Sequence, residues 1–188
     1  KNNYHDLLAS FTMPELENPQ PKLFMLGNEA VVALGALTSG AKFMSAYPIT
    51  PSSEIMEYMV KYAPAEGGVM LQTEDEISAC TMAIGAAYAG ARAFTATAGP
   101  GLSLMAEAIG LAEMTETPLV VIDTQRGGPS TGLPTKHEQS DLMAAIYNTH
   151  GDTAKIVISP SSIEESFYDT FEAFNLAEEY QCPVIVLS

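Results

Sequence analysis

The sequence is short of basic residues, short of cysteine and free of long apolar runs, and each shortage excludes a class of function. Only 8 Lys and Arg stand against 23 Asp and Glu, a formal net charge of −15. A chain that acidic is repelled by nucleic acid and by anionic membrane surfaces. No apolar stretch approaches the roughly 20 residues of a membrane span. The opening KNNYHDLLASFTMPELENPQPK lacks the apolar core of a signal peptide. Cys80 and Cys182 form no CxxC and no cluster, so no zinc or iron–sulfur site is expected on this chain. These features fit a reducing, cytoplasmic setting.

What is present is globular. The 188 residues are 47% apolar and 16% charged, enough for one sizeable domain with its own core. The chain begins at Lys1 rather than Met and stops on the strand-like PVIVLS, so a piece of a longer polypeptide is expected. Residues 1–22, rich in Pro and Asn, then read as a linker or tail, and 23–188 as the domain.

Short apolar runs alternate with helical patterns. Strands are expected at Lys42–Ala46, Val69–Gln72, Ala93–Thr97, Leu119–Asp123, Lys155–Ser159 and Pro183–Leu187. Helices are expected at Asn28–Thr38 with an Asn cap, Pro51–Tyr62, Glu76–Ala89, Ser103–Met114 and Ile163–Glu179. That order predicts an α/β fold: a doubly wound, mainly parallel sheet of about six strands with helices on both faces. Helix 76–89 has almost no polar residue after its first turn and should be buried. Ligands in such folds bind at the C-terminal ends of strands. The loops of interest are therefore YPITPSSE, QTEDE, TAGPGLS and QRGGPSTGLPTKHEQSD, with SPSSIEE as an internal control.

Local chemistry explains part of each loop without any function. Thr50 before Pro51 reads as a helix cap, a design repeated in the control as Ser159-Pro160-Ser161-Ser162. Tyr47 and Pro48, leaving a central strand, suggest a shaped pocket. Thr73 and Glu76 match a capping box, and so do Ser162 and Glu165. Yet a carboxyl at the head of an apolar helix, beside a strand end, risks desolvation, which favours the protonated acid and makes a proton donor to a ring nitrogen. Gly99 and Gly101 allow close backbone approach, and the helix that follows could face an anion, although a tight turn suffices. GALTSGAK is a near miss to a phosphate loop, with its Lys displaced and no Ser or Thr after it, and is discarded. Arg126, Lys136 and His137 gather cations in one loop of an acidic chain. They suit a carboxylate, or neutralise nearby acids. His5 and His150 carry no signal.

Taken in order, GNEAVVALGALTSG, YPITPSSEIME, TEDEISACTMAIGAAYAGARAFTATAGPGLSLMAEAIG and QRGGPSTGLPTKHEQSDL resemble the alpha subunit of the 2-oxoacid:ferredoxin oxidoreductases, most of all those acting on 2-oxoglutarate. The resemblance runs from about Leu23 to Ser188 and implies the pyrimidine-binding domain of a thiamine diphosphate enzyme. In that family a glutamate stands nine residues before a Gly-Ala on the next helix, which selects Glu76 over Glu74 and Asp75. By resemblance Glu76 hydrogen-bonds N1′ of the aminopyrimidine and favours the imino tautomer, whose 4′-nitrogen takes the thiazolium C2 proton. Thr50 matches the threonine near the 2-oxoacid, and Arg126 the arginine that takes its carboxylate. Tyr47, Pro48, Ile49 and the run Thr97, Ala98, Gly99, Pro100, Gly101 match segments beside the cofactor. Lys136 and His137 are candidates for a second carboxylate.

The departures matter as much. No GDG…N segment for diphosphate and Mg²⁺ is present, HGDTAK not being one, and the cluster cysteines are missing. The resemblance places both on a beta subunit or another domain, with no metal on this chain. It implies half an active site, a shared thiamine diphosphate, 2-oxoacid and coenzyme A as substrates, ferredoxin as electron acceptor, and an oligomer. Alone, such a chain should bind cofactor poorly. Two alternatives stand beside it: a non-catalytic interaction domain of the same fold, and another thiamine diphosphate enzyme acting on pyruvate, branched 2-oxoacids or indolepyruvate.

Overall fold

The computed structural model of the protein describes residues 28–188. The expected linker, residues 1–22, and the side-chain cap at Asn28 lie outside the described residues. Six strands form one wholly parallel sheet: β1 Phe43–Ala46, β2 Val69–Gln72, β3 Ala93–Thr97, β4 Leu119–Asp123, β5 Ile156–Ile158 and β6 Pro183–Leu187. Their order across the sheet is β2-β1-β3-β4-β6-β5. Winding runs outward from β1 to β2, then reverses to β3 on the other side of β1. That reversal is the switch point at which open α/β sheets bind ligands.

The helices are α1 Asn28–Thr38, α2 Ser53–Tyr62, α3 Glu76–Tyr88, α4 Gly99–Leu104, α5 Ala106–Met114, α6 Leu142–Tyr147 and α7 Ile163–Tyr180. Strands β3, β4 and β6 are buried at every position, as continuous apolar runs demand when both faces are covered. On one face Met44, Phe94, Val120, Ile122 and Val186 meet Val32 of α1, Ile55 and Met59 of α2 and Phe174 of α7. On the other, Val121, Ile185 and Leu187 meet Cys80 of α3, Leu102 of α4, Ile109 of α5 and Ala145 of α6. The Phe94 and Phe174 rings meet edge to face at 5.7 Å.

Several expectations about ends and faces change. The single helix 103–114 is two, breaking at Met105, and it begins earlier, at Gly99. A short 3-10 turn, Ala63–Glu66, and helix α6 were not expected. GALTSGAK is a helix terminus: Gly40 sits at φ 89°, and the amides of Gly40 and Ala41 donate to the carbonyls of Leu37 and Ala36. Helix α3 is buried on one face only. Ala79, Cys80, Ala83 and Ala87 face the sheet, whereas Ile77, Met82 and Tyr88 are exposed.

Gly35 marks the contact of α1 with α7. A Cβ there would lie 2.6 Å from the Phe167 carbonyl oxygen and 3.2 Å from the Thr170 Cβ. Overpacking costs about 1–3 kcal/mol, and the gain in helix propensity returns about 1 kcal/mol. A Cβ 2.6 Å from a backbone oxygen lies at the upper end of that range, so Gly35→Ala should lower stability by about 2 kcal/mol, read as a Tm about 4–8 °C lower in thermal unfolding. An unchanged Tm would show that the helices part without cost.

Candidate functional site

The four loops singled out by their place after strands all emerge at one rim of the sheet. Glu76 opens α3 and is 7% exposed. Its side chain does not turn back to the Thr73 amide, which donates to the Ala46 carbonyl at 3.0 Å and so continues the β1–β2 ladder. The capping-box expectation fails for the same reason. Asp75, in extended conformation, is the cap, its carboxylate accepting from the Ser78 amide at 2.7 Å. That hydrogen bond holds the Asp75 carboxyl below its ordinary range. Thr73 instead donates its hydroxyl to the Asp75 carbonyl at 2.8 Å. In the control loop Ser162 does cap α7, but Glu165 reaches Ser161 rather than Ser162.

Freed from the cap, the Glu76 side chain lies against the turn after β3. A Cβ on Gly101 would overlap the Thr97 hydroxyl oxygen and lie 2.8 Å from the Glu76 Cγ and 3.1 Å from its Oε1. Thr97 is wholly buried at the end of β3. The structure thus brings Glu76, Thr97 and Gly101 together, with Ala98 extended between β3 and α4.

A second group gathers nearby. The β4–β6 ladder continues past Asp123: the Ser188 amide donates to the Asp123 carbonyl and the Gln125 amide to the Ser188 carbonyl. This extension carries Arg126 clear of the sheet while leaving it 6% exposed. Its Nη1 donates to the Thr50 carbonyl at 2.6 Å, joining the loops after β4 and β1 across the end of β3. Its buried Nε has no hydrogen-bond partner among the described residues. Thr50 is not a helix cap. α2 starts at Ser53, after Ser52 has given its hydroxyl to the Ile49 carbonyl.

Thr50 and Arg126 line a cleft of about 550 Å³ together with Lys136, His137, Glu54 and Glu138. The cleft has room for an anion and is lined by acids as well as by the basic residues. The loop folds on itself: the Gly127 amide donates to the Lys136 carbonyl and the Leu133 amide to the Gly127 carbonyl. Gly132, at φ 55°, packs so tightly on Gly127 that no side chain fits. Tyr47 is exposed, and Pro48 faces elsewhere, into a hollow of about 470 Å³ with Met56, Val60 and Met70. The pocket that Tyr47 and Pro48 suggested is thus separate from the Thr50–Arg126 cleft.

Sequence reasoning missed Asp123 and Asp141. Asp123 is the last residue of an apolar strand and is 0% exposed. Burial pushes its carboxyl well above the ordinary range, and the neighbouring Asp141 carboxyl pushes it further. A carboxylate ending an otherwise apolar run, LVVID, was the available signal.

A doubly wound parallel sheet whose polar groups concentrate on the loops at one rim is the architecture of a coenzyme-binding domain. Among such domains, this chain belongs to the thiamine diphosphate-binding family of the pyruvate flavodoxin/ferredoxin oxidoreductases, whose family model matches residues 34–188. It is similar to the 2-oxoglutarate synthase subunit KorA of Methanothermobacter marburgensis, 56% identical over 165 residues, 88% of this chain and 44% of that protein. It also resembles subunit alpha of the 2-oxoacid:ferredoxin oxidoreductase 1 of Aeropyrum pernix, at 45% identity over 92% of this chain and 29% of that protein. Among solved structures, the 2-oxoglutarate:ferredoxin oxidoreductase of Magnetococcus marinus, with 2-oxoglutarate, coenzyme A and succinyl-CoA bound, matches at a TM-score of 0.88. It is 46% identical and covers 98% of this chain and 33% of that one. The chain thus spans under half the length of these relatives. No described helix is long and apolar enough to cross a membrane.

Proposed function

We propose that this chain is the pyrimidine-binding part of a 2-oxoacid:ferredoxin oxidoreductase alpha subunit. The reaction is oxidative decarboxylation of a 2-oxoacid, 2-oxoglutarate favoured, to acyl-CoA and CO₂ with electrons passing to ferredoxin. The observation that carries the reading is Glu76, nine-tenths buried, released from helix capping and laid against the bare Cα of Gly101.

The residues present fit one half of the cofactor. Glu76 borders the Gly99–Gly101 turn, whose two glycines leave room for the Asp141 carboxyl at Gly99 and for Thr97 and Glu76 at Gly101. Among the described residues no group of three or more His, Cys, Asp or Glu could hold a metal ion. By the family resemblance we assign diphosphate, Mg²⁺ and the iron–sulfur cluster to a partner beta subunit, and leave Cys80 and Cys182, both buried and free, outside the chemistry. Bound thiamine diphosphate supplies the carbanion chemistry that decarboxylates a 2-oxoacid. Glu76 holds a proton at the ring nitrogen N1′. Thr97 to Gly101 would lie beside the ring, and Tyr47 to Ile49 belong to the cofactor side by resemblance, although Pro48 lines the separate hollow. Thr50 and Arg126 take the 2-oxoacid carboxylate. Lys136 and His137 meet a second carboxylate, which 2-oxoglutarate has and pyruvate lacks.

The partner's footprint follows from what is left uncovered. Ile77 and Met82 of α3, Leu104 of α4 and Leu142, Met143 and Tyr147 of α6 are exposed on the sheet face that also carries Glu76. An apolar patch bordering a half-site suits a subunit interface. A reducing, cytoplasmic setting belongs to the same proposal. Residues 1–22 serve in it as the linker from an upstream domain.

The test is reconstitution of the full subunit with its partner, scoring ferredoxin reduction that requires 2-oxoglutarate, coenzyme A and thiamine diphosphate together. An inert but assembled complex would favour the non-catalytic alternative. Arg126→Lys removes the fork that grips a carboxylate at two points while keeping the charge, so KM for the 2-oxoacid should rise about tenfold or more. The fall in kcat should be smaller. An unchanged KM would remove Arg126 from substrate binding.

A further inference from the structure

We propose that Asp123 and Asp141 form a carboxyl pair joined by one shared proton, and that this pair is the positioning element holding the Thr97–Gly101 turn against Glu76. The proposal rests on the reading of Glu76 above for its consequence, but not for its geometry.

Asp123 is fully buried, and neither carboxyl oxygen finds a donor among the neutral and basic groups described. The Asp141 carboxyl is its charged neighbour, and Asp141 Oδ2 is likewise buried without a partner among the described residues. Two carboxylates cannot share a hydrogen bond unless one carries a proton. Register then links the pair to the site. Asp123 stands beside Thr97 in the parallel β3–β4 ladder, so their side chains share the face that carries α3 and α4. The Thr124 amide donates to the Thr97 carbonyl at 2.8 Å, tying the two strand ends together. Asp141 is itself held, its amide taken by the Gln125 Oε1 at 3.3 Å. Its carboxyl lies over Gly99 so closely that a Cβ there would be 2.8 and 2.9 Å from the two oxygens. The contacts thus run from Asp123 through Asp141 to Gly99, two residues from the glycine that Glu76 touches.

The electrostatics agree with the geometry. Burial raises both carboxyls above their ordinary range, and the Asp141 charge raises Asp123 further. One proton is therefore held between the two carboxyls. The other titratable group facing the pair is Glu138, whose charge raises Asp141. Ionising both carboxyls would place a second uncompensated charge beneath the turn.

The experiment uses the full subunit in its complex. At neutral pH the infrared difference between wild type and Asp123→Asn should show the carbonyl stretch of a protonated carboxylic acid, and its absence overturns the shared proton. The folded Asp123 value lies above the unfolded one, so the pair's contribution is complete at acid pH and is lost as pH rises through the folded value. Asn does not titrate, so the Tm of Asp123→Asn should gain on wild type as pH rises; a constant gap overturns the pair. Gly99→Ala should lower Tm when Asp141 is present and much less in an Asp141→Ala background. An equal drop in both overturns the contact with the turn. Thiamine diphosphate affinity should fall about tenfold to a hundredfold in Asp141→Ala and recover in Asp141→Asn, as for a displaced but intact site. Equal loss in both variants overturns positioning. If wild type binds no thiamine diphosphate, the functional reading fails, while the infrared and Tm readouts still decide the pair.

Discussion

Glu76→Gln in the assembled complex should lower kcat for 2-oxoacid oxidation by about 10²–10⁴-fold, the range of a lost acid–base group. The substitution isolates proton chemistry from structure. Gln has the shape of Glu and can rest on Gly101 and Thr97 as the acid does. The cap of α3 is untouched, because Asp75 makes it. The helix loses one acid from its first turn, worth about 0.3–1 kcal/mol, so Tm should fall by no more than about 4 °C. Glu74 supplies the control. It is exposed, one residue ahead of the cap, and Glu74→Gln should match wild type in rate. Full activity in Glu76→Gln, or an equal loss in Glu74→Gln, would refute the assignment. A collapse in Tm together with activity would mean that Glu76 serves the fold.

The central strands were readable because burial on both faces leaves an unmixed apolar signal, and β3, β4 and β6 keep their expected bounds; the edge strand β2 keeps its bounds too, although it is mostly exposed. Helix starts were harder. Thr73 satisfies the spacing of a capping box, but its amide is committed to β1, so the helix takes the next competent acid, Asp75. Such competition between a strand end and a helix start is a tertiary matter, invisible in a four-residue pattern. Helix α6 escaped notice because it is six residues long and follows a loop rich in Gly and Pro. The apolar character of α3 was legible, yet its cause was not. An apolar face reads the same whether this chain or another subunit covers it.

The candidate site divides along the same line. The loops singled out followed from strand order, and the choice of Glu76 from the family resemblance, by its spacing to Gly85. That Arg126 would reach Thr50, 76 residues away, depends on the crossover that seats β3 between β1 and β4. Asp123 was hidden by its neighbours. As the last letter of a strand it looked like a turn residue, and its partner lies beyond the long basic loop. Only the ladder register shows it standing beside Thr97.

Gly101→Ala should impair stability and catalysis together, by two clashes that can be separated. The added Cβ would overlap the Thr97 hydroxyl, and Thr97 is buried on a strand and cannot withdraw. Overpacking of this kind costs about 3 kcal/mol, a Tm about 6–12 °C lower for a domain of this size. The same Cβ would lie 2.8 Å from the Glu76 Cγ, displacing the carboxyl by several tenths of an ångström or more. Misplacement on the scale of 1 Å costs about 10²-fold in rate. Thr97→Ala in the Gly101→Ala background removes the first clash and leaves the second. Tm should then recover most of its loss while kcat stays low. Recovery of both would place the effect in the fold alone, and a single variant with wild-type Tm and rate would show that the turn has room which this packing denies. A low rate on a restored fold ties the bare Cα of Gly101 to the position of Glu76.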